Sequence, residues 1–168
     1  LVSARDFGIY DALNKGLSMA TGDVIGFLHS DDYFASNDVV ASIAREMESH
    51  SMDLLYADLD FFHQNTPEKS TRFYSSSFFK PWMMRFALQP AHPTVYARKS
   101  VYERVGNFNL DYKISADFDW LLRCLVLAKC KSKYLKQTFV KMQKGGASTG
   151  GIKSVIRHNA EDLRILKS

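Results

Sequence analysis

The chain has 168 residues, 46% hydrophobic and 24% charged, an ordinary balance for a globular domain that excludes disordered, collagen-like and disulfide-stapled miniprotein classes. No apolar run approaches the roughly 20 residues that cross a bilayer. A formal net charge of +4, from 22 Lys and Arg against 18 Asp and Glu, suits an anionic ligand or a membrane surface but is too small to point to nucleic acid.

The chain opens Leu1-Val2-Ser3 without an initiator Met or the basic and apolar stretches of a signal peptide, so a piece of a longer chain is expected. Ile9, Leu13, Gly16, Leu17 and Ala20 recur at helical spacing and predict an amphipathic helix that stops at Thr21-Gly22, with glycine in a left-handed cap position. Val24 to Leu28 is an unbroken apolar run, which predicts a strand buried on both faces and therefore a parallel strand covered by helices. Polarity reverses at His29-Ser30-Asp31-Asp32. Ser36 or Asn37 then caps a predicted helix with Val39, Val40, Ile43, Ala44 and Met47 on its apolar face, and Asp53 to Phe62 reads as a strand.

From His63 to Ser77 the residues are polar, with Pro and a Ser run, and predict a surface loop. Pro93 to Ala97 reads as a short strand, and Ser100-x-x-Glu103 as a capping box opening a helix that Gly106 ends. Ser115 caps a predicted helix from Ala116 to Ala128, with Leu121, Leu122, Leu125 and Ala128 as its buried stripe. Cys124 and Cys130 have no His or Cys partner at zinc-site spacing and read as reduced, partly buried thiols in a reducing compartment. A last strand over Tyr134 to Val140, a Gly-rich loop over Lys144 to Gly151 and a helix over Ile152 to Leu166 complete the reading. The length predicts one domain over residues 1–168. The alternation of helices and strands predicts an α/β fold with a mostly parallel central sheet flanked by helices, its ligands at the carboxyl ends of the strands, where Asp31 and Asp32 lie.

Two adjacent carboxylates after a buried strand repel each other, and a cation or a phosphate-metal complex relieves that repulsion; an Asx turn with one solvated Asp explains the pair as well. Asp117 and Asp119 fall in the first turn of a predicted helix, where the macrodipole favours carboxylates. Asp119 can pair with Arg123 one turn later, whereas Asp117 has no such partner and is the better candidate for a general base.

The stretch Asp6-Phe7-Gly8-Ile9-Tyr10-Asp11-Ala12-Leu13-Asn14-Lys15-Gly16, then Ala20-Thr21-Gly22-Asp23 and His29-Ser30-Asp31-Asp32, closely resembles family 2 glycosyltransferases of the GT-A fold. So does the later series His92-Pro93, Arg98, Gly106-x-Phe108, Ala116-Asp117-x-Asp119, Leu122-Arg123 and Gly145-Gly146-x-Ser148. The resemblance implies an inverting transferase that uses a nucleoside-diphosphate sugar donor, a saccharide or lipid-linked acceptor, and Mg²⁺ or Mn²⁺. Under it Asp32 matches the metal-contacting acid, Asp31 its neighbour on the ribose-diphosphate side, and Asp117 the base that deprotonates the acceptor hydroxyl. His92 falls where the family places a polar residue near the acceptor, Lys15 and Arg5 can approach the diphosphate, and Trp82, with Phe78, Phe79, Met83 and Met84, can line an acceptor groove, touch lipid or pack a core. The expected location is cytoplasmic, with peripheral contact at the inner face of the membrane and no nucleic-acid partner.

The sequence departs from the family pattern at His29, where Asn is usual, and at Ala116, where Glu often precedes the base. The family's first strand and the acidic loop that hold the nucleotide base belong before position 1, so a GT-A-like domain lacking the N-terminal part of its nucleotide-binding half is expected. A non-catalytic remnant that has lost its donor pocket, and a nucleotidyltransferase of similar α/β layout, are the alternative readings.

Overall fold

The computed structural model describes residues 5–48, 51–144 and 152–167. Its elements in chain order are α1 (Ile9–Met19), β1 (Val24–Gly26), β2 (Tyr33–Phe34), α2 (Val39–Glu48), β3 (Leu54–His63), β4 (Thr66–Tyr74), 3₁₀ segments at Pro81–Phe86 and His92–Thr94, β5 (Tyr96–Arg98), α3 (Lys99–Val105), α4 (Ala116–Leu122), a π-helical turn at Arg123–Leu127, β6 (Ser132–Gln143) and α5 (Ile152–Lys167).

These strands form a six-stranded sheet in the order β1-β5-β3-β6-β2, with β4 paired to the far end of β3. Only β3 and β6 run parallel, from Leu54 opposite Ser132 to Phe62 opposite Gln143; every other described pairing is antiparallel. The sheet is therefore mixed, which corrects the mostly parallel expectation. An apolar run reports burial on two faces and carries no information about direction, and β1 meets its neighbour β5 antiparallel. The stretch expected as a loop after His63 is also a strand: β4 folds back on β3 with Tyr74 opposite Leu59 and Phe73 opposite Asp60. Its residues, Thr66 to Tyr74, are mostly polar and show no clean alternation, so the strand leaves little signal in the sequence.

Both faces of β3 are covered, Leu54 to Leu59 being buried without a break, and successive side chains turn to opposite sides, as the pleat requires. Leu54 and Tyr56 join the cluster under α1, α3 and α4, with Ile25, Val101, Phe118 and Trp120, while Leu55, Ala57 and Leu59 join Val39, Ile43, Met47, Phe139 and Val140 under α2. One close approach requires glycine: a Cβ on Gly26 would lie 2.1 Å from Cε1 of Tyr96 on the adjacent β5.

Several helix ends differ from expectation. The first helix is closed by Ala20, whose N–H reaches the carbonyls of Gly16 and Leu17, and Gly22 takes no left-handed cap. The capping box at Ser100 is absent because β5 runs directly into α3 with Arg98 at the N-cap; Gly106 ends that helix at φ 82 as expected. Ser115 occupies the N-cap of α4 but makes no side-chain capping bond there.

Candidate active site

Four segments bring the chemistry-bearing residues together. His29 and Asp32 follow β1, with the Asp32 N–H on the His29 carbonyl at 3.1 Å. His92 stands on the 3₁₀ turn before β5, Asp117 is in the first turn of α4, and Tyr10 comes from α1. Thr94 pins the His92 turn to β3, donating from Oγ1 to the Ala57 carbonyl at 2.9 Å and accepting the Ala57 N–H at 3.0 Å. The entry to α4 is held from the last helix, where the Glu161 carboxylate accepts the N–H groups of Lys113, Ile114 and Ser115 at 3.1, 2.9 and 3.0 Å.

Asp117 was expected to be without a partner, and the structure corrects this. Its Oδ2 lies 3.0 Å from Nδ1 of His92, and its Oδ1 accepts the Tyr10 hydroxyl at 2.8 Å across 107 residues of sequence. Burial pushes this carboxyl upward, but the adjacent His92 and the hydrogen bonds from His92, Tyr10 and the Phe118 N–H overcome it and bring the pKa to about 2. His92 responds in kind: burial disfavours its charge, yet attraction to Asp117 and Asp32 raises it above its ordinary value. Tyr10, pushed up by burial and then by Asp117, remains a donor.

Asp32 is placed differently. Its Oδ1 accepts the Gln143 N–H at 3.2 Å, while its Oδ2 is buried without a hydrogen-bond partner among the described residues. Burial lifts its carboxyl above the ordinary value; the Gln143 N–H and His29 pull it back. His29 itself is depressed below its ordinary value by burial and then by His92, against the opposing pull of Asp32 and Asp117. No group of three His, Cys, Asp or Glu able to cage a metal occurs among the described residues. A hard cation that keeps one carboxylate and takes its other ligands from phosphates and water fits the bare Oδ2 of Asp32.

Beside this cluster opens a cleft enclosing about 550 Å³, solvent at its mouth included, lined by Tyr10, Phe27, His29, His92, Asp117 and Trp120 among others. Its wall is aromatic: Tyr102 and Trp120 stack at 4.4 Å, and Phe108 meets Trp120 at 5.9 Å and Phe27 at 5.6 Å. An apolar wall that ends in a few converging polar groups is the usual form of a small-molecule site.

The remaining candidates lie elsewhere. Asp31 is exposed. Lys15 pairs with Asp11 at 2.7 Å and donates to the Arg5 carbonyl at 2.7 Å, and neither Lys15 nor Arg5 lines the cleft. Trp82 is 60% exposed and meets Phe86 edge-on, also outside the cleft lining. Asp119 pairs with Arg123 at 2.8 Å, as expected, and Arg123 donates onward to the carbonyls of Val105 and Asn107, tying α4 to the end of α3. The Gly145-Gly146-x-Ser148 stretch lies outside the described residues. Sequence reasoning missed Tyr10 as a site residue: it is not part of the stripe of Ile9, Leu13, Gly16, Leu17 and Ala20, and its link to Asp117 spans 107 residues, so no local spacing points to it.

Residues 1–107 match the family model described as glycosyl transferase family 2. A PGL/p-HBAD biosynthesis glycosyltransferase of Mycobacterium bovis (strain BCG / Pasteur 1173P2) is 30% identical over 131 residues, covering 77% of this chain and 48% of that protein. An uncharacterized glycosyltransferase of Mycobacterium tuberculosis (strain CDC 1551 / Oshkosh) is 29% identical over 136 residues, covering 76% and 48%. The chain thus spans about half the length of these relatives. In fold it is similar to S. aureus TarS 1–349 crystallised with UDP-GlcNAc, at TM-score 0.64 and 15% identity over 98% of this chain and 52% of that one. The complex of the same TarS fragment with UDP gives 0.61 and 16% over 91% and 42%. The mixed sheet with its flanking helices is accordingly an α/β, GT-A-like fold. By a family match that covers more than half of its length, the chain belongs to glycosyl transferase family 2.

Proposed function

We propose that the protein transfers a sugar from a nucleoside-diphosphate donor to a hydroxyl of a saccharide or lipid-linked acceptor, with inversion at the anomeric carbon. The observation that carries this reading is the convergence of Asp32, with its bare buried Oδ2, and the His92–Asp117 pair beside one aromatic cleft. Family membership and the UDP and UDP-GlcNAc complexes of TarS support the donor class.

In this reading Asp32 holds Mg²⁺ or Mn²⁺ together with the donor's phosphates. Such a cation neutralises charge that develops on a departing diphosphate, an effect worth several kcal/mol. The His92–Asp117 pair then serves the opposite face of the sugar, where one base and a single displacement are enough for inversion. The aromatic wall excludes water from the reacting centre. Asp31, Lys15 and Arg5 are assigned to the donor side, and Trp82 to the acceptor side.

A cytoplasmic setting with peripheral membrane contact is part of the proposal. Phe78, Trp82 and Phe86 are 84%, 60% and 69% exposed beside Lys80 and Arg85, a combination of aromatic and basic residues that suits an anionic interface. No helix among the described residues is long and apolar enough to cross a membrane.

The test is calorimetric titration of UDP-sugars into the full-length protein with and without Mn²⁺, followed by NMR assignment of the product anomer. Expected are metal-dependent binding, its loss in Asp32→Ala, and an inverted product. Binding that ignores both the cation and Asp32→Ala would remove the metal assignment, and a retained anomer would remove the single displacement.

A further inference from the structure

We propose that the acceptor carries an apolar face next to the hydroxyl that reacts, either a deoxy carbon of its sugar or an aryl aglycone, and that the aromatic cleft beside Asp117 receives that face. This names an acceptor class for the transfer reading above and rests on it. The case begins with how polarity is distributed in the cleft. Asp117, His92 and His29 can hold a hydroxyl, whereas Leu13, Phe27, Val95, Phe108, Trp120 and Leu121 offer carbon. Asp32, assigned to the donor's metal, is not among the lining residues, while Asp117, assigned to the side from which the acceptor attacks, is one of them. The cleft therefore belongs to the acceptor.

The second argument counts the polar groups still able to pair. Tyr10 spends its hydroxyl on Asp117 at 2.8 Å. Trp120 gives its indole N–H to the Gly106 carbonyl at 3.0 Å. Asn14 closes off the backbone of Phe108, donating to its carbonyl at 2.9 Å and accepting its N–H at 3.0 Å, and the Val95 N–H is held by the His92 carbonyl at 3.0 Å. On the side chains of the ring wall that leaves the Tyr102 hydroxyl as the group a ligand can meet. A hexose with a hydroxyl on nearly every carbon brings more polar groups than such a wall satisfies, and each one buried without a partner forfeits its hydrogen bonds to water.

The third argument is that the wall is fixed. Tyr102 stacks on Trp120 at 4.4 Å, and Phe27 meets Tyr102 and Phe108 edge-on at 6.4 and 5.6 Å. Tyr102, Phe108, Trp120 and Leu121 are buried members of the core cluster under α1, α3 and α4, so close packing holds their rotamers. Rings held in this way attract a flat ring or a hydroxyl-free edge and gain nothing from a hydroxyl. An added hydroxyl in an apolar pocket is worth on the order of 10- to 10²-fold in kcat/KM, which sets the size of the effect.

The experiment compares acceptors on the full-length protein, with Mn²⁺ and the UDP-sugar that calorimetry finds to bind. Methyl hexosides are set against methyl 6-deoxyhexosides of the same configuration and against the corresponding phenyl hexosides. In at least one series kcat/KM for an apolar counterpart should exceed that of the methyl hexoside by roughly 10-fold or more, and the arm that shows it tells a deoxy carbon from an aryl aglycone. Val95→Thr puts a hydroxyl into the cleft with little change of shape; it should narrow the preference to about threefold through loss on the apolar acceptor, with donor affinity by calorimetry unchanged. Should Val95→Thr fail to fold, Ile9→Thr makes the same change at a half-exposed lining position, and the wild-type comparison stands without either variant. Methyl hexosides used within about threefold of both counterparts in every series, or a donor-binding protein that uses no member of the panel, overturn the acceptor assignment and leave the donor reading intact. Failure to bind any nucleotide sugar overturns the transfer reading and this proposal together.

Discussion

Glu161 on α5 and Ser115 at the head of α4 are joined by a 3.0 Å hydrogen bond from the Ser115 N–H to Oε2, and the same carboxylate takes the N–H groups of Ile114 and Lys113. The last helix thereby fixes the start of the helix that carries Asp117. Burial raises the Glu161 carboxyl, but the three N–H groups bring it below its ordinary value. A carboxyl depressed on folding adds stability that is present above its unfolded pKa and is lost as the pH falls through the folded one.

Glu161→Ala should therefore cost about 1–2 kcal/mol at neutral pH, a net figure for hydrogen bonds to a partly exposed charge. The cost should shrink as the pH falls below the ordinary glutamate value of 4.5. Thermal denaturation of both proteins from neutral to acid pH checks this. A difference that does not depend on pH would show that Glu161 acts through packing alone.

Much of this arrangement is visible in the sequence, and the parts that are not share a physical reason. The apolar run from Val24, the stretch Asp53 to Phe62 and the helical stripe of α1 announce their elements because burial leaves a trace in the sequence, although β1 ends at Gly26, short of the expected Leu28. The Asp119–Arg123 pair is readable because it is one helical turn long. Strand direction leaves no such trace, and a half-wet strand such as β4 looks like a loop when its apolar positions are few. Asp117 meets Tyr10 and His92 only through the tertiary fold, so local spacing left it apparently without a partner.

The contact between Gly26 and Tyr96 yields a packing prediction. Tyr96 is 9% exposed and packs edge-on against Phe139 at 5.9 Å, so its ring has little room to yield to a Cβ 2.1 Å away. Gly26→Ala should destabilise the fold by about 1–3 kcal/mol, the usual cost of overpacking. Combining it with Tyr96→Ala should recover part of that loss, and a double-mutant cycle by urea denaturation measures the coupling. Additive losses would mean that the strands separate instead.

Asp119 and Arg123 should matter to stability more than to chemistry. Asp119→Asn removes one charged partner of Arg123, whereas Arg123→Ala also frees the carbonyls of Val105 and Asn107. The first should cost about 1 kcal/mol and the second more, with turnover per folded molecule within a few-fold of wild type. Asp117→Asn should show the opposite balance. Unfolding curves and kinetics on the same samples decide it, and a 10²-fold loss of turnover in Asp119→Asn would place both aspartates in one catalytic unit.

The sharpest separation of stability from function is expected at Asp32. Its carboxyl is raised on folding because burial disfavours its charge, and its Oδ2 finds no donor among the described residues. A raised carboxyl binds protons more tightly in the folded state than in the unfolded one, so the ionised side chain opposes folding and stability falls as the pH rises through its folded value. Asp32→Asn abolishes that charge while an amide oxygen can still accept the Gln143 N–H. In the absence of donor and cation, the variant should therefore be at least as stable as the wild type near pH 7, and the advantage should disappear below the ordinary aspartate value of 3.8. Adding Mn²⁺ with a UDP-sugar should reverse the order, because ligands that bind only the folded wild type raise its Tm and leave that of Asp32→Asn unmoved. A ligand-free variant that melts well below the wild type at neutral pH would mean that Asp32 is needed to hold the turn after β1 together, and the reading of its bare oxygen as half of a metal site would lose its physical basis.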